Sequence, residues 1–311
     1  MPLTTLLSAF VPVLGLLAIG FISRKRDLVQ DGFWTQAERL TYYLLMPALL
    51  VGKLAGLESG ALPVGRIAVA VIGTLLVGAL ALTMLRLIWR PAGAVFTSVV
   101  QGGLRFNTYI GLALVAPLYG SAGLEVAALV VGMMVATINV LCVSAFALCL
   151  HDGSPKLKAV FRQLIRNPLL IAAALGLTMQ GLGIGLPVGI DGLAAALGAA
   201  ALPLGVMAVG AALARLETAH LPPVAPFTAA GVVKFALLPG VSLGLCLALG
   251  LDGLTTAVIV LLQAMPTAPS AYVLARQLGG DHGLMASLIA SQTVAACVLV
   301  PMVLATGVIG V

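Results

Sequence analysis

The stretch Gln101–Gly111, QGGLRFNTYIG, lies inside an apolar run long enough to cross a bilayer, yet it carries groups that hydrocarbon does not tolerate. Gly102 and Gly103 loosen a helix, Arg105 is charged, and Gln101, Asn107, Thr108 and Tyr109 are polar. Backbone that leaves the helix at membrane depth survives only where it is buried in protein or lines a cavity. An ionisable residue there marks a functional site. A second interruption, AMPTAPS at Ala264–Ser270, comes late in the chain. Its Pro266 and Pro269 remove backbone donors and disfavour helix in the residues before them. Two interrupted membrane helices, one in each half of a chain, point to a transporter's binding site.

The composition agrees with a membrane protein. The chain is 61% hydrophobic and 8% charged, with a mean hydropathy of +1.17; a soluble domain is about 25% charged. The fold class expected is therefore all-α and polytopic. A helix that spans hydrocarbon needs about 20 mostly apolar residues. By that ruler ten spans lie near residues 3–22, 38–56, 66–88, 93–117, 122–149, 167–185, 189–213, 225–249, 254–276 and 283–309. They divide into two five-helix units, 1–150 and 151–311, that form one integral membrane body. The N-terminal sequence MPLTTLLSAF lacks a basic region, so the first helix is expected to be retained.

The basic residues set the orientation. Twelve of the 16 sit in loops after odd-numbered spans, among them Arg24, Lys25, Arg26, Arg39, Lys156, Lys158, Arg162, Arg166 and Arg215. The positive-inside rule places those loops in the cytoplasm and both termini outside. The net charge of +6 thus reports topology and implies no nucleic-acid partner. Five spans per half is an odd number, so the halves have opposite orientation, an inverted repeat with spans 4 and 9 broken. Pro47 in span 2 and Pro203 in span 7 support it, each preceding its break by about 60 residues.

The break in span 4 lies ten to fourteen residues beyond Gly93, roughly 15–20 Å into the membrane at helical rise, and Pro266 lies twelve residues into span 9. The two can meet at mid-depth. Ser270, and Asn107 or Thr108, are placed to cap the returning half-helices. Two half-helix N-termini at one cavity offer free N–H groups and partial positive charge, which favour an anion. Arg105 adds a permanent charge whose fork matches a carboxylate; the alternative is that it pairs with carbonyls freed at the break. Gln101, Asn107, Thr108, Tyr109, Gln263, Pro266, Thr267 and Ser270 are the further candidates for the site, with Gly102, Gly103, Pro266 and Pro269 as helix breakers. Lys234 is a weaker candidate for substrate or coupling-ion contact, and Asn139 and Gln292 read as helix–helix hydrogen bonders.

What is missing also narrows the function. No Asp or Glu lies firmly inside a span, which argues against cation/proton antiport through buried carboxylates. His151, His220 and His282 lie near loops, and the four cysteines have no metal-ligand spacing. The residues therefore suggest no enzyme, no metal and no cofactor.

At QGGLRFNTYIGLALVAPLYG and AMPTAPSAYVLARQLGGD the chain resembles the auxin efflux carrier family, whose bacterial members include malonate and malate permeases. The likeness runs the full length and includes Arg166-Asn167-Pro168 at the start of span 6. It implies a ten-helix inverted-repeat fold in which broken helices 4 and 9 cross at the substrate site. The Asn107-Thr108 pair, followed by Gly111, is similar to the first crossover of the plant carriers. Phe106 stands where those have proline, and their long central loop is missing, which argues against auxin as substrate. The expectation is a secondary transporter of a small mono- or dicarboxylate such as malonate or malate, working by alternating access. A sodium-coupled organic-anion symporter of the bile-acid-carrier type is the nearest alternative, and a membrane receptor or enzyme a more distant one. Proton or sodium remains open as coupling ion, and small-residue faces are compatible with a homodimer without requiring one.

Overall fold

The computed structural model describes residues 2–58, 62–150, 165–216 and 224–305. Lys156, Lys158, Arg162, His151 and His220 lie outside the described residues. Among the described residues the chain is all-helical, 85% helix with no strand. Six helical stretches among the described residues are long and apolar enough to cross a membrane.

Helix α1 covers Leu3–Lys25, α2 Asp31–Leu40 and α3 Met46–Ala55, with a π turn at Thr41–Leu45 joining the last two. Then come α4 (Val64–Trp89), α5 (Gly93–Leu104) and α6 (Thr108–Leu150). After the interval come α7 (Pro168–Gly181), α8 (Ile190–Leu213), α9 (Val224–Val232), a π turn at Val233–Leu237 and α10 (Leu238–Ala248). The chain ends in α11 (Gly253–Gln263), α12 (Ser270–Leu278) and α13 (His282–Ala305). The apolar helices α7 and α11 are shorter than a full span, with 14 and 11 residues. Helix α6 turns a corner at Gly120, whose φ of 63° and ψ of −152° suit glycine.

The two π turns have a local cause. Pro47 and Pro239 have no N–H to give the carbonyl four residues back, so the preceding turn widens and closes on the fifth. The Met46 N–H reaches the Thr41 carbonyl, and the Leu238 N–H reaches that of Val233. Pro47 and Pro239 thus share one local geometry. Pro203, paired with Pro47 on spacing, sits inside the uninterrupted α8.

The helices pack as two groups. One gathers α1 to α3 with α7 and α8; the other gathers α4, α5 and α9 to α13, with α6 touching both. Each group mixes segments from before and after residue 150, so the sequence halves interleave. Helices α1 and α8 meet backbone to backbone, Gly20 against Met207 and Gly210 against Leu17. Small residues allow such an approach between membrane helices.

Both interruptions fall in the second group. The first is only Arg105-Phe106-Asn107; the second runs from Ala264 to Pro269. Gly102 and Gly103, expected to break the helix, lie in the last turn of α5. Their lack of side chain serves packing, with Leu288 and Ala230 against Gly102 and Leu82 and Val233 against Gly103. The break follows them by two residues.

Candidate functional site

A cavity of about 500 Å³ opens between the two helix groups. From the second group it takes Arg105 and Ala268 to Ser270, and from α6 and the break before it Phe106 to Tyr109, Val135, Ile138 and Asn139. From the first it takes Glu38, Tyr42 and Tyr43, residues 166–169 at the start of α7, and Ala208, Val209 and Ala212 of α8. Arg166, Glu38 and Tyr43 are exposed and mark the mouth. The mouth lies at the helix ends that carry Arg24, Lys25, Arg26, Arg39 and Arg215.

Two interrupted helices restart at this cavity. Asn107 is the N-cap of α6: its Oδ1 accepts the Ile110 N–H at 3.2 Å and its carbonyl accepts the Gly111 N–H at 3.0 Å. Its Nδ2 is buried and has no hydrogen-bonding partner. Thr108 and Tyr109 form the first turn, where helix geometry leaves backbone N–H groups without intrahelical acceptors. The Tyr109 ring lies on Gly205 of α8, which leaves room for it by having no side chain. Helix α12 starts differently. Its cap position is Pro269, with no side-chain cap, and the Ala271 and Tyr272 N–H groups close tight turns on Ala268 and Pro269 at 3.0 Å each. Ser270, expected to cap this helix, is instead its first residue and is exposed to the cavity. A proline already occupies the cap position.

Arg105 is half-buried at the cavity wall, and its Nη1 is buried without a hydrogen-bonding partner. It lies beside the Cys142 thiol of α6 and within electrostatic reach of Tyr42. Arg105 and Arg166 outnumber Glu38 in the lining, so the cavity carries an excess of positive charge. Glu38 qualifies the expected lack of acids: it lies at the mouth, at the first turn of the span-2 region, where water reaches it.

The other candidates lie elsewhere. Pro266 faces a small apolar recess on the opposite side, with Phe10, Leu14 and Ile110. Gln101 and Gln263 are fully buried, and neither amide finds a partner. Thr267 is fully buried and bonded to the end of α5. Lys234, in the second π turn, is fully buried with an unpartnered Nζ near Cys142 and does not line the cavity. Gln292 is a helix–helix hydrogen bonder, as expected of it.

Tyr42, Tyr43 and Glu38 were not among the residues singled out, and Asn167 was noted only as part of the start of span 6. Asn167 caps α7, its Oδ1 accepting the Leu169 N–H at 3.0 Å and the Leu170 N–H at 3.4 Å, with Pro168 at the first helical position. That Asn-Pro pair is a readable helix start. Nothing local in the sequence says that it faces the same cavity as Arg105. The four cysteines are all free thiols, and among the described residues no cluster of metal-ligating side chains occurs.

The family profile described as membrane transport protein matches residues 5–304, nearly the whole chain. No curated protein matches it. The chain belongs to this membrane transport family, the auxin efflux carrier family.

Proposed function

We propose that this protein is a secondary transporter that carries a small mono- or dicarboxylate, malonate or malate being the first candidates, across a bacterial inner membrane by alternating access. Membership of a transport family supports the general activity. The observation that carries the anion is one place in the cavity wall. There Arg105, with a guanidinium nitrogen lacking any partner, stands beside the restart of α6. A carboxylate satisfies that nitrogen, and the α6 N-terminus adds N–H groups and partial positive charge. A cavity of about 500 Å³ is within the ordinary range for small-molecule sites and holds such an acid with water to spare.

Ten membrane crossings, the inverted repeat and outside termini belong to this reading. With the basic helix ends in the cytoplasm, the mouth faces inward, and this is the inward-facing state. Transport then moves the group holding both breaks against the group of α1 to α3, α7 and α8, so that the cavity closes at Tyr43 and Arg166 and opens on the other side.

The test is uptake of labelled malonate, malate and a monocarboxylate into proteoliposomes, with and without a proton gradient and with sodium replaced by choline. Saturable uptake of an anion supports the reading, and the gradient dependence names the coupling ion. Strict sodium dependence favours the symporter alternative. No flux of any carboxylate, with binding retained, contradicts transport.

A further inference from the structure

At the end of α5, helix geometry leaves the last carbonyls without intrahelical partners, in a place that water does not reach. They are satisfied from far along the chain. The Gly102 carbonyl accepts the Thr267 hydroxyl at 3.0 Å and the Gln292 Nε2 at 2.9 Å. The Arg105 carbonyl accepts the same Thr267 hydroxyl at 3.3 Å. The Thr267 N–H, freed because its own segment is not helical, is taken by the Gln292 Oε1 at 3.0 Å. All of Gly102, Thr267 and Gln292 are buried. The chemistry fixes which way the Gln292 amide points, since its oxygen must face the N–H and its nitrogen the carbonyl. One side chain on α13 thereby bridges the two interruptions, with Thr267 closing the triangle.

We infer that Thr267 and Gln292 are positioning residues that aim Arg105 into the cavity. The inference rests on the anion site proposed above. Thr267 acts through the Arg105 backbone and does not touch the substrate. Arg105 has extended backbone at the very end of α5, so its side-chain direction follows from where its carbonyl is held. With the Thr267 hydroxyl gone, the buried Gly102 carbonyl and the half-buried Arg105 carbonyl each lose a donor, and the three-residue break is free to rotate. The interruptions would then lose the fixed relation that sets Arg105 against the α6 N-terminus.

The experiment is a double-mutant cycle in proteoliposomes with labelled malonate as probe. Thr267→Val removes the hydroxyl at constant shape, and Thr267→Ser keeps it. Gln292→Met removes both amide bonds at similar length. Thr267→Val and Gln292→Met are each expected to raise KM about tenfold. Thr267→Ser is expected to restore the wild-type value. In an Arg105→Lys background, which lacks the fork, the Thr267→Val effect is expected to shrink below about twofold. An equal factor in both backgrounds, or no rescue by serine, overturns the inference.

A second arm needs no substrate. With Cys142, Cys149, Cys246 and Cys297 replaced by alanine, the thiol introduced by Arg105→Cys is labelled with a cationic methanethiosulfonate. Thr267→Val is expected to change that rate by about fivefold and to leave the rate at Tyr43→Cys, at the mouth, unaltered. Unchanged labelling at both positions overturns the inference. Changed labelling at position 105, where the protein with Arg105 intact moves no carboxylate, supports the positioning role and counts against the anion reading alone.

Discussion

At the scale of single residues, the site combines one fixed charge with helix ends, and Asn107 shows how the two are separable. Its Oδ1 caps α6 while its Nδ2 faces no partner. Asn107→Asp keeps an acceptor for the Ile110 N–H, and a carboxylate at a helix N-terminus is at least as good a cap as an amide. It also places a negative charge beside Arg105, in a cavity built for an anion. The variant is therefore expected to melt no lower than wild type while its carboxylate uptake falls by about two orders of magnitude. Asn107→Ala is expected to lose about 1 kcal/mol of stability with the cap. Thermal melting in detergent beside proteoliposome uptake checks both. Arg105 and the Asn107-Thr108-Tyr109 run stand out in the sequence because polar groups in an apolar run have few explanations. Tyr42 and Glu38 were not legible, because their distance from Arg105 is set by packing between helix groups.

At the scale of elements, the helices were readable from apolar run length, but α2 starts at Asp31, ahead of the expected second span, and α6 runs from Thr108 to Leu150 through the corner at Gly120. Local chemistry accounts for the departures. Gly102 and Gly103 looked like breakers but serve close packing, and a proline at the cap position leaves Ser270 no cap to make. Glycine's two uses separate by substitution. A Cβ on Gly210 would meet the Leu17 backbone, whereas on Gly240 it would meet nothing within 4 Å. Gly210→Ala is expected to destabilise the protein by several °C in melting temperature through the α1–α8 contact. Gly240→Ala is expected to be neutral or to gain up to about 1 kcal/mol from helix propensity. Equal behaviour of the two variants would contradict the packing account. The π turn before Pro239 holds Lys234, a fully buried side chain whose Nζ has no partner. Replacing such a group by an apolar one of similar length relieves a desolvation penalty. Lys234→Met is expected to raise the melting temperature. A loss of uptake with that gain would mark Lys234 as retained for function.

At the scale of the whole molecule, the arrangement matters more than the count of crossings. Both interruptions belong to one helix group, and the cavity lies where that group meets the other. Sequence order does not reveal this, since each group draws on both halves of the chain. The mouth at the basic helix ends predicts a sidedness. The thiol introduced by Arg105→Cys in the cysteine-free protein is expected to react with a membrane-impermeant cationic reagent from the cytoplasmic face of oriented vesicles. It is expected to react at least about tenfold more slowly from the other face. Equal reactivity from both faces would describe a channel.

The account stands or falls on Arg105 as the carboxylate's anchor, and saturable uptake of labelled malonate by wild type, Arg105→Lys and Arg105→Ala tests it most directly. With all three proteins monodisperse, kcat/KM is expected to fall by two or more orders of magnitude in Arg105→Ala, since the carboxylate loses its charge partner at the cavity wall. An intermediate value is expected in Arg105→Lys, which keeps the charge without the fork. Equal transport by wild type and Arg105→Ala would contradict the anchor and leave any anion held by the helix ends alone.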